Sequence, residues 1–596
     1  MRQFHTFMPG LLLVLSFAAA GAHAQDTGRT TALPQSQLLP ERMTAAPNSF
    51  SVIGYHEVRH DVRDYPDPFA VDTAALVAQF SWLNGNGYKP VSLDEIIASR
   101  QPGGKVLPAK AVLLTFDDGY LSFYTRVYPL LREFRFPAVL AVVGKWIDNP
   151  TGTQSVYGEK DSVPDASFPS WGQLREMAAS GLVEIASHTY DLHRGVLANP
   201  QGNLQAAATT RTYDAITGTR ESDESWRTRV REDLARNSQA IERGTGHRPR
   251  AIAWPYGSYN GELLGMAGEL GMPVALTLEE GTNGPEVPLT AVRRILVAHN
   301  PPLADFTYAV RGPPYADPVR AVQLSLDAVY DADPVLQERN LSVLLERMLV
   351  LKPTYVFLQA STDVNGDGMA DAAYFPTRHL PLRADLFNRV AWQLASRDDI
   401  QVFAVLPVTG FRLTADQIRD IYEDLGRHAS FQGLLFMQDT APKSAAEEAA
   451  GTARFMASTQ RLADATRRWR GPVKIARGLA PDSPDTDTLG ISTLAAGSDY
   501  VVIALPADHG GASIAPEIPG QGGITHATRP PATGAKLIYM LHPGAMADQS
   551  GERIARQMRA LQLSGALNFG YHDDFMHNRP PLARIAPFMS LRIHPR

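Results

Sequence analysis

The chain has 596 residues, too many for one ordinary domain, so at least two folded units are expected. Its 44% hydrophobic and 20% charged residues mark a globular chain and exclude a disordered or fibrous one, while a formal net charge of −6 argues against a nucleic-acid partner. With no cysteine, disulfides, thiolate metal sites, a cysteine nucleophile and a cysteine-linked lipid anchor are excluded, and any metal must rest on histidine and carboxylate.

Residues 1–24 read as a secretory signal peptide. Arg2 supplies the positive start, residues 8–20 the apolar stretch, and Ala22-His23-Ala24 the cleavage pattern before Gln25. The stretch is too short for a permanent membrane anchor, so a periplasmic or secreted protein is expected. Residues 25–48, rich in Thr, Pro, Gln and Ser, read as a flexible tether.

Short apolar runs then alternate with helical patterns. Strands are expected at 50–54, 111–116, 137–143 and 182–186, and helices at 73–85, 120–134 and 171–180, the last stopped by Gly181. Continuous apolar strands separated by helices predict an α/β fold with a parallel sheet. Residues 147–170 read as a long loop rimming a cleft. Prolines 301, 302, 313, 314 and 318 mark a linker at 306–318, which divides a first domain (49–305) from a second (319–596). In the second, six strand candidates at 354–358, 401–406, 433–437, 472–475, 500–505 and 536–540 suit a (β/α) barrel.

Two motifs in the first domain carry chemistry. The strand at 111–116 runs into Asp117-Asp118-Gly119, placing two carboxylates at a strand's carboxyl end, where α/β folds keep their sites. The strand at 182–186 leads into Ser187-His188-Thr189-Tyr190-Asp191-Leu192-His193. On a helix, residues five apart would point about 140° from each other. In an irregular turn they can converge, and one carboxylate with two imidazoles makes a site for a catalytic divalent ion.

Thr115-Phe116-Asp117-Asp118-Gly119-Tyr120 and the His188/His193 segment resemble the first two motifs of the polysaccharide deacetylase family, carbohydrate esterase family 4. The histidine spacing of five is similar to the branch acting on poly-β-1,6-N-acetyl-D-glucosamine. Residues 363–388, with Tyr374-Phe375-Pro376-Thr377-Arg378-His379-Leu380-Pro381, resemble the second domain of exported members of that branch. The resemblance implies an N-terminal (β/α) barrel of polysaccharide deacetylase type followed by a C-terminal (β/α) barrel of glycoside hydrolase type.

It further implies metal-dependent N-deacetylation of the exported polymer, with the ion (zinc, nickel, cobalt or iron) on Asp118, His188 and His193, and Asp117 as general base. Trp254-Pro255-Tyr256-Gly257 resembles the third motif, whose backbone N–H, here that of Tyr256, helps form the oxyanion hole. Gly54-Tyr55-His56-Glu57 resembles the amino-terminal block that carries the general-acid histidine, here His56; His299, after the apolar residues 295–297, is the alternative. The expected partners are the polymer and an outer-membrane export porin or its periplasmic scaffold. An O-acetyl esterase, or a binding scaffold with little catalysis, would use the same site differently.

In the second domain, Asp363-Val364-Asn365-Gly366-Asp367-Gly368 opens like a calcium loop, but Tyr374 stands where the bidentate Glu should fall, so a polar turn is the better reading, with Asp371 the residue that could support weak calcium binding. Candidate carbohydrate-binding residues are Asp439, Glu447, Tyr374, Tyr571, Asp573 and Asp574, because deacetylated glucosamine is cationic and stacks on rings. Where the resembled proteins show His-Asp-Asp, this chain has Met437-Gln438-Asp439, so one carboxylate of the groove is missing; polymer binding is expected of the barrel, and glycosidic cleavage is left open.

Overall fold

The computed structural model describes residues 47–591 apart from 64, 66, 151, 158–160, 312–317, 399, 438–444, 472, 480–487, 506–535, 542–550, 564–565, 574 and 577–580. The expected signal peptide and nearly all of the tether lie outside the described residues.

In the first domain the apolar runs become parallel strands: β1 (Phe50–Tyr55), β2 (Ala111–Phe116), β3 (Ala138–Val142), β4 (Val183–Ser187), β5 (Ala251–Ala253), β6 (Val274–Leu276) and β7 (Ile295–Leu296). They lie in the order β6-β5-β4-β3-β2-β1-β7, with the short strand Lys89–Pro90 beside β2. Every residue of β2 and β3 is buried, as expected where helices cover both faces of a parallel sheet. The sheet curves into a half-barrel, and just before β7 the bridge from Val292 to Leu276 of β6 brings its two edges together.

Two of its helices matter for the site: α1 (Asp223–Thr245), capped by Ser222, and α2 (Gly261–Glu269), capped by Asn260. The expected loop at 147–170 contains an antiparallel hairpin, Gln154–Tyr157 with Asp161–Pro164. Part of the expected linker is also structured. Helix Leu303–Arg311 buries Phe306 and Val310 in the first domain's core, while 312–317 lie outside the described residues.

The second domain is a closed parallel barrel of β8 (Arg320–Ser325), β9 (Tyr355–Gln359), β10 (Gln401–Val405), β11 (Gly433–Met437), β12 (Lys474–Leu479), β13 (Tyr500–Leu505), β14 (Lys536–Leu541) and β15 (Phe569–His572). Closure is direct, because Val322 of β8 pairs with both Val356 and Tyr571. The two strands that the six sequence candidates omit are β8 and β15. The first is disguised: Arg320 and Gln323 interrupt β8, and Arg320 is buried with its guanidinium 4.0 Å from the Phe569 ring centroid. Helices α3 (Pro334–Leu351) and α4 (Ala445–Arg470) belong to the barrel's outer ring. Among the described residues no helix is long and apolar enough to cross a membrane.

The barrel interior is crowded by Tyr355, Phe357, Phe403 and Tyr500. Glycines make the space: a Cβ on Gly433 would stand 2.2 Å from the Phe403 ring, and one on Gly570 would stand 2.2 Å from the Ala321 carbonyl oxygen. Gly433→Ala is therefore expected to lower the unfolding free energy by about 1–3 kcal/mol, the usual cost of overpacking, read by chemical denaturation.

Candidate metal centre and active site

At the carboxyl end of β2 the backbone takes two successive left-handed residues, Asp118 (φ 69°) and Gly119 (φ 74°). A non-glycine residue in that region is held there at a cost, and the turn aims Asp118 toward the end of β4. Beyond β4 come His188, the left-handed Thr189 (φ 69°) and His193. The outcome is convergence. Asp118 Oδ1 lies 3.2 Å from Nε2 of both His188 and His193, and all three side chains are buried.

The ligand atoms lie within 4.8 Å of one another. An ion bonded to each at about 2.0–2.1 Å would set neighbouring ligand atoms about 3.0 Å apart in an octahedron and about 3.3 Å apart in a tetrahedron. The observed 3.2 Å falls between these edges, so the residues fit a divalent ion. His188 Nδ1 donates to the Ala253 carbonyl at 2.8 Å, which fixes the tautomer and turns the Nε2 lone pair toward Asp118.

Helix α1 holds the histidine turn in shape. The Asp233 carboxylate accepts the backbone N–H of Tyr190 at 2.8 Å and of Asp191 at 2.7 Å, between the two ligands. Burial pushes Asp233 up to about 6 against the pull of these two N–H groups. One turn further along α1, Asn237 Nδ2 donates to the Val142 carbonyl and to Ser187 Oγ, tying the ends of β3 and β4 together. Sequence reasoning missed both residues; their only signal is a polar side chain on the buried stripe of an amphipathic helix.

Asp117 is buried beside the ligands, and Arg294 Nη1 donates to its Oδ1 at 2.8 Å. Burial alone would raise this carboxyl, but the Arg294 guanidinium, with His188 and His56, holds it below the usual carboxylate value. For Asp118 burial is likewise overcome, by His193 and His188, and its carboxyl sits well below the usual range. Arg294 is fully enclosed just before β7 and also donates to the Thr277 carbonyl at 2.8 Å. It too escaped the sequence reading, although an arginine entering an apolar strand was its visible mark.

His56 follows β1, its ring stacked on Phe69 at 5.0 Å, and it acts electrostatically on both Asp117 and Asp118. The alternative, His299, is exposed, with its backbone N–H on the Pro68 carbonyl at 2.5 Å. Tyr256 occupies the turn after β5 with φ 58°, and its ring lies 4.6 Å from that of His193. His56, Asp117, Asp118, His188, His193 and Tyr256 thus gather at one end of the half-barrel.

The second-domain candidates do not gather in this way. Tyr374 is fully buried and its hydroxyl donates to Asp327 at 2.6 Å. Asp573 pairs with the buried Arg347 and accepts the Tyr571 hydroxyl at 3.0 Å. Tyr374, Tyr571 and Asp573 are therefore interior groups, which corrects their expected place on a sugar-binding surface: the barrel's outer core encloses the rings and Arg347 neutralises the acid. Asp439 and Asp574 lie outside the described residues, as does the side chain of Glu447. In the calcium-like loop, Asp363 accepts the N–H groups of Gly366, Asp367 and Gly368, and Asp371 those of Val364 and Asn365, so it is built as a polar turn.

A parallel half-barrel with an Asp-Asp pair and two histidines at its strand ends, followed by a (β/α) barrel, defines a polysaccharide deacetylase with an appended glycoside hydrolase-like domain. The comparisons agree domain by domain: residues 104–275 match the family model for polysaccharide deacetylase, and residues 323–417 match that for hypothetical glycosyl hydrolase family 13. The poly-β-1,6-N-acetyl-D-glucosamine N-deacetylase of Escherichia coli (strain K12) is 32% identical over 92% of this chain and 93% of its own. Among solved structures, the BpsB deacetylase domain of Bordetella bronchiseptica is 48% identical over 42% of this chain and 96% of that one, with a TM-score of 0.39. The PgaB (BpsB) glycoside hydrolase domain of the same organism is 27% identical over 46% of this chain and 99% of that one, also with a TM-score of 0.39. The chain belongs to the polysaccharide deacetylase family, in the branch of two-domain poly-β-1,6-N-acetyl-D-glucosamine N-deacetylases.

The histidine turn also yields a test. Asp233→Ala removes the acceptor of two ordered N–H groups and is expected to weaken divalent-ion binding about 10-fold, the low end of the usual loss when a supporting partner is removed. Metal titration by calorimetry reads it; wild-type affinity would show that Asp233 does not shape the site.

Proposed function

We propose that this protein hydrolyses the acetamido groups of exported poly-β-1,6-N-acetyl-D-glucosamine, releasing acetate and leaving free amines on the polymer. The observation that carries the reading is Asp118 Oδ1 equidistant from two histidine Nε2 atoms, with the separately paired Asp117 beside it. Asp118, His188 and His193 would hold the divalent ion, drawn from zinc, nickel, cobalt or iron, which would supply Lewis acidity toward water and the amide carbonyl.

The remaining roles fall to the chain's own groups. Asp117, kept ionised by Arg294, takes the proton of the attacking water. The backbone N–H of Tyr256 donates to the oxygen that gains charge as the carbonyl becomes tetrahedral. His56 delivers a proton to the departing nitrogen, a role closed to His188 and His193, whose Nε2 atoms would be taken up in holding the ion. As the C–N bond breaks, the electron pair leaves with nitrogen and the proton makes it an amine.

The second domain holds the partly deacetylated polymer, with Asp439, Glu447 and Asp574 as its acidic contacts. The pattern in residues 1–24 supports export to the periplasm, where a porin or its scaffold would receive the product.

Asp117→Asn is expected to lower kcat about 10²–10⁴-fold while metal stays bound, whereas His188→Ala loses both metal and turnover. Acetate release from β-1,6-linked N-acetylglucosamine oligomers, with metal titration of each variant, separates the roles. Equal metal loss in both variants contradicts the assignment, and release only from acetylated xylan would make the protein an esterase.

A further inference from the structure

The two domains touch at several points, Gln205 with Asn388, Arg220 with Asp385 and Asp223 with Arg427 among them, and at one of these a barrel side chain is buried among first-domain residues. Trp469, near the carboxyl end of α4, is 2% exposed and lies in the same buried apolar cluster as Leu192, Trp254 and Tyr259 of the first domain. Leu192 precedes the ligand His193, and Trp254 opens the turn that carries Tyr256. A residue of the barrel thus belongs to the apolar cluster that includes residues flanking both site turns.

Its position is fixed from several sides. The Trp469 ring meets Trp226 edge-on at 5.9 Å, and the Arg211 guanidinium lies 4.4 Å from the Trp469 ring centroid and 4.0 Å from that of Trp226. Its indole N–H donates to Glu423 at 2.7 Å, so the polar end is satisfied. On either side of Trp469 the backbones nearly touch. A Cβ on Gly471 would stand 2.6 Å from the Tyr259 carbonyl oxygen, and one on Gly261 would stand 3.2 Å from the Arg468 carbonyl oxygen. Arg468 also donates to Glu262 in the first turn of α2 at 3.0 Å.

These contacts frame the Tyr256 turn without covering it. A cavity of about 390 Å³ opens between Tyr256, Gly257 and Ser258 on one side and Arg427, Trp469 and Arg470 on the other. Support therefore arrives through the flanks: Trp254 before the turn, and residues 259–261 after it. Tyr256 needs such support, because a non-glycine residue at φ 58° persists only where its surroundings over-determine it.

We propose that Trp469 is a positioning residue for the Tyr256 turn, so that the barrel sets the turnover of the deacetylase site and not only its hold on polymer. The inference rests on the oxyanion role given to Tyr256 above. Removing the indole lets the turn relax, and displacements of about 1 Å at a reacting centre can cost about 100-fold in rate.

The test uses the full-length, metal-loaded protein with a short β-1,6-linked N-acetylglucosamine oligomer, together with hydrogen exchange of residues 254–260. Trp469→Ala is expected to lower kcat about 10-fold or more, leave KM within twofold, keep metal affinity, and speed exchange in that segment. Trp469→Phe should recover most of the turnover. Gly261→Ala, which presses on the Arg468 carbonyl at the same contact from an ordinary backbone conformation, should lower kcat in the same direction and guards against a Trp469→Ala variant that fails to fold. An unchanged kcat in both variants, or a loss confined to KM, overturns the proposal and leaves the barrel a polymer-holding domain. A wild type that releases no acetate sinks the deacetylase reading itself; active wild type beside an equally active Trp469→Ala sinks this inference alone.

Discussion

The site depends on bringing a carboxylate and two imidazoles together across an intervening strand. Asp118 leaves β2 and the histidines leave β4, while β3 runs between them, so the two strand ends are about 9.5 Å apart. Left-handed turns at Asp118 and Thr189 and the six-residue histidine segment close that gap. Gly144, just past β3, lets the segment pass: a Cβ there would stand 2.2 Å from Asn237 Oδ1 and 2.9 Å from the Tyr190 ring. Burying three such groups is costly unless they satisfy one another or an ion, and Asp118 Oδ1 at 3.2 Å from each imidazole, with all three ligand atoms within 4.8 Å, meets that condition.

Adjacent aspartates acquire different chemistry from different neighbours. Asp118 faces the imidazoles, in the group proposed to hold the ion. Asp117 instead accepts a hydrogen bond from Arg294, just before β7, which holds its carboxyl charged and oriented. The half-barrel explains how a residue 177 positions away can do this, since β1 alone separates β2 from β7.

Much of this was legible in the sequence because parallel strands buried on both faces leave continuous apolar runs. Residues 111–116 and 182–186 announced strands, and chemistry placed directly after them had to sit at one sheet end. The barrel was legible in outline for the same reason, but β8 was hidden by Arg320 and Gln323, whose roles depend on partners far along the chain. The supporting residues Asp233, Asn237 and Arg294 were illegible because a buried polar side chain looks like a surface one until its partner is known. Tyr374, Tyr571 and Asp573 failed in the opposite sense: their types suit sugar binding, yet the packing around Arg347 and Asp327 uses them as structure.

The central claim is that Asp118, His188 and His193 share one divalent ion. X-ray absorption spectroscopy of the metal-loaded protein tests it most directly. The account predicts one bound ion per chain, with two imidazole nitrogens and a carboxylate oxygen in its inner sphere at about 2.0–2.2 Å. A spectrum without imidazole scattering, or an inner sphere unchanged when both histidines are replaced, would contradict it.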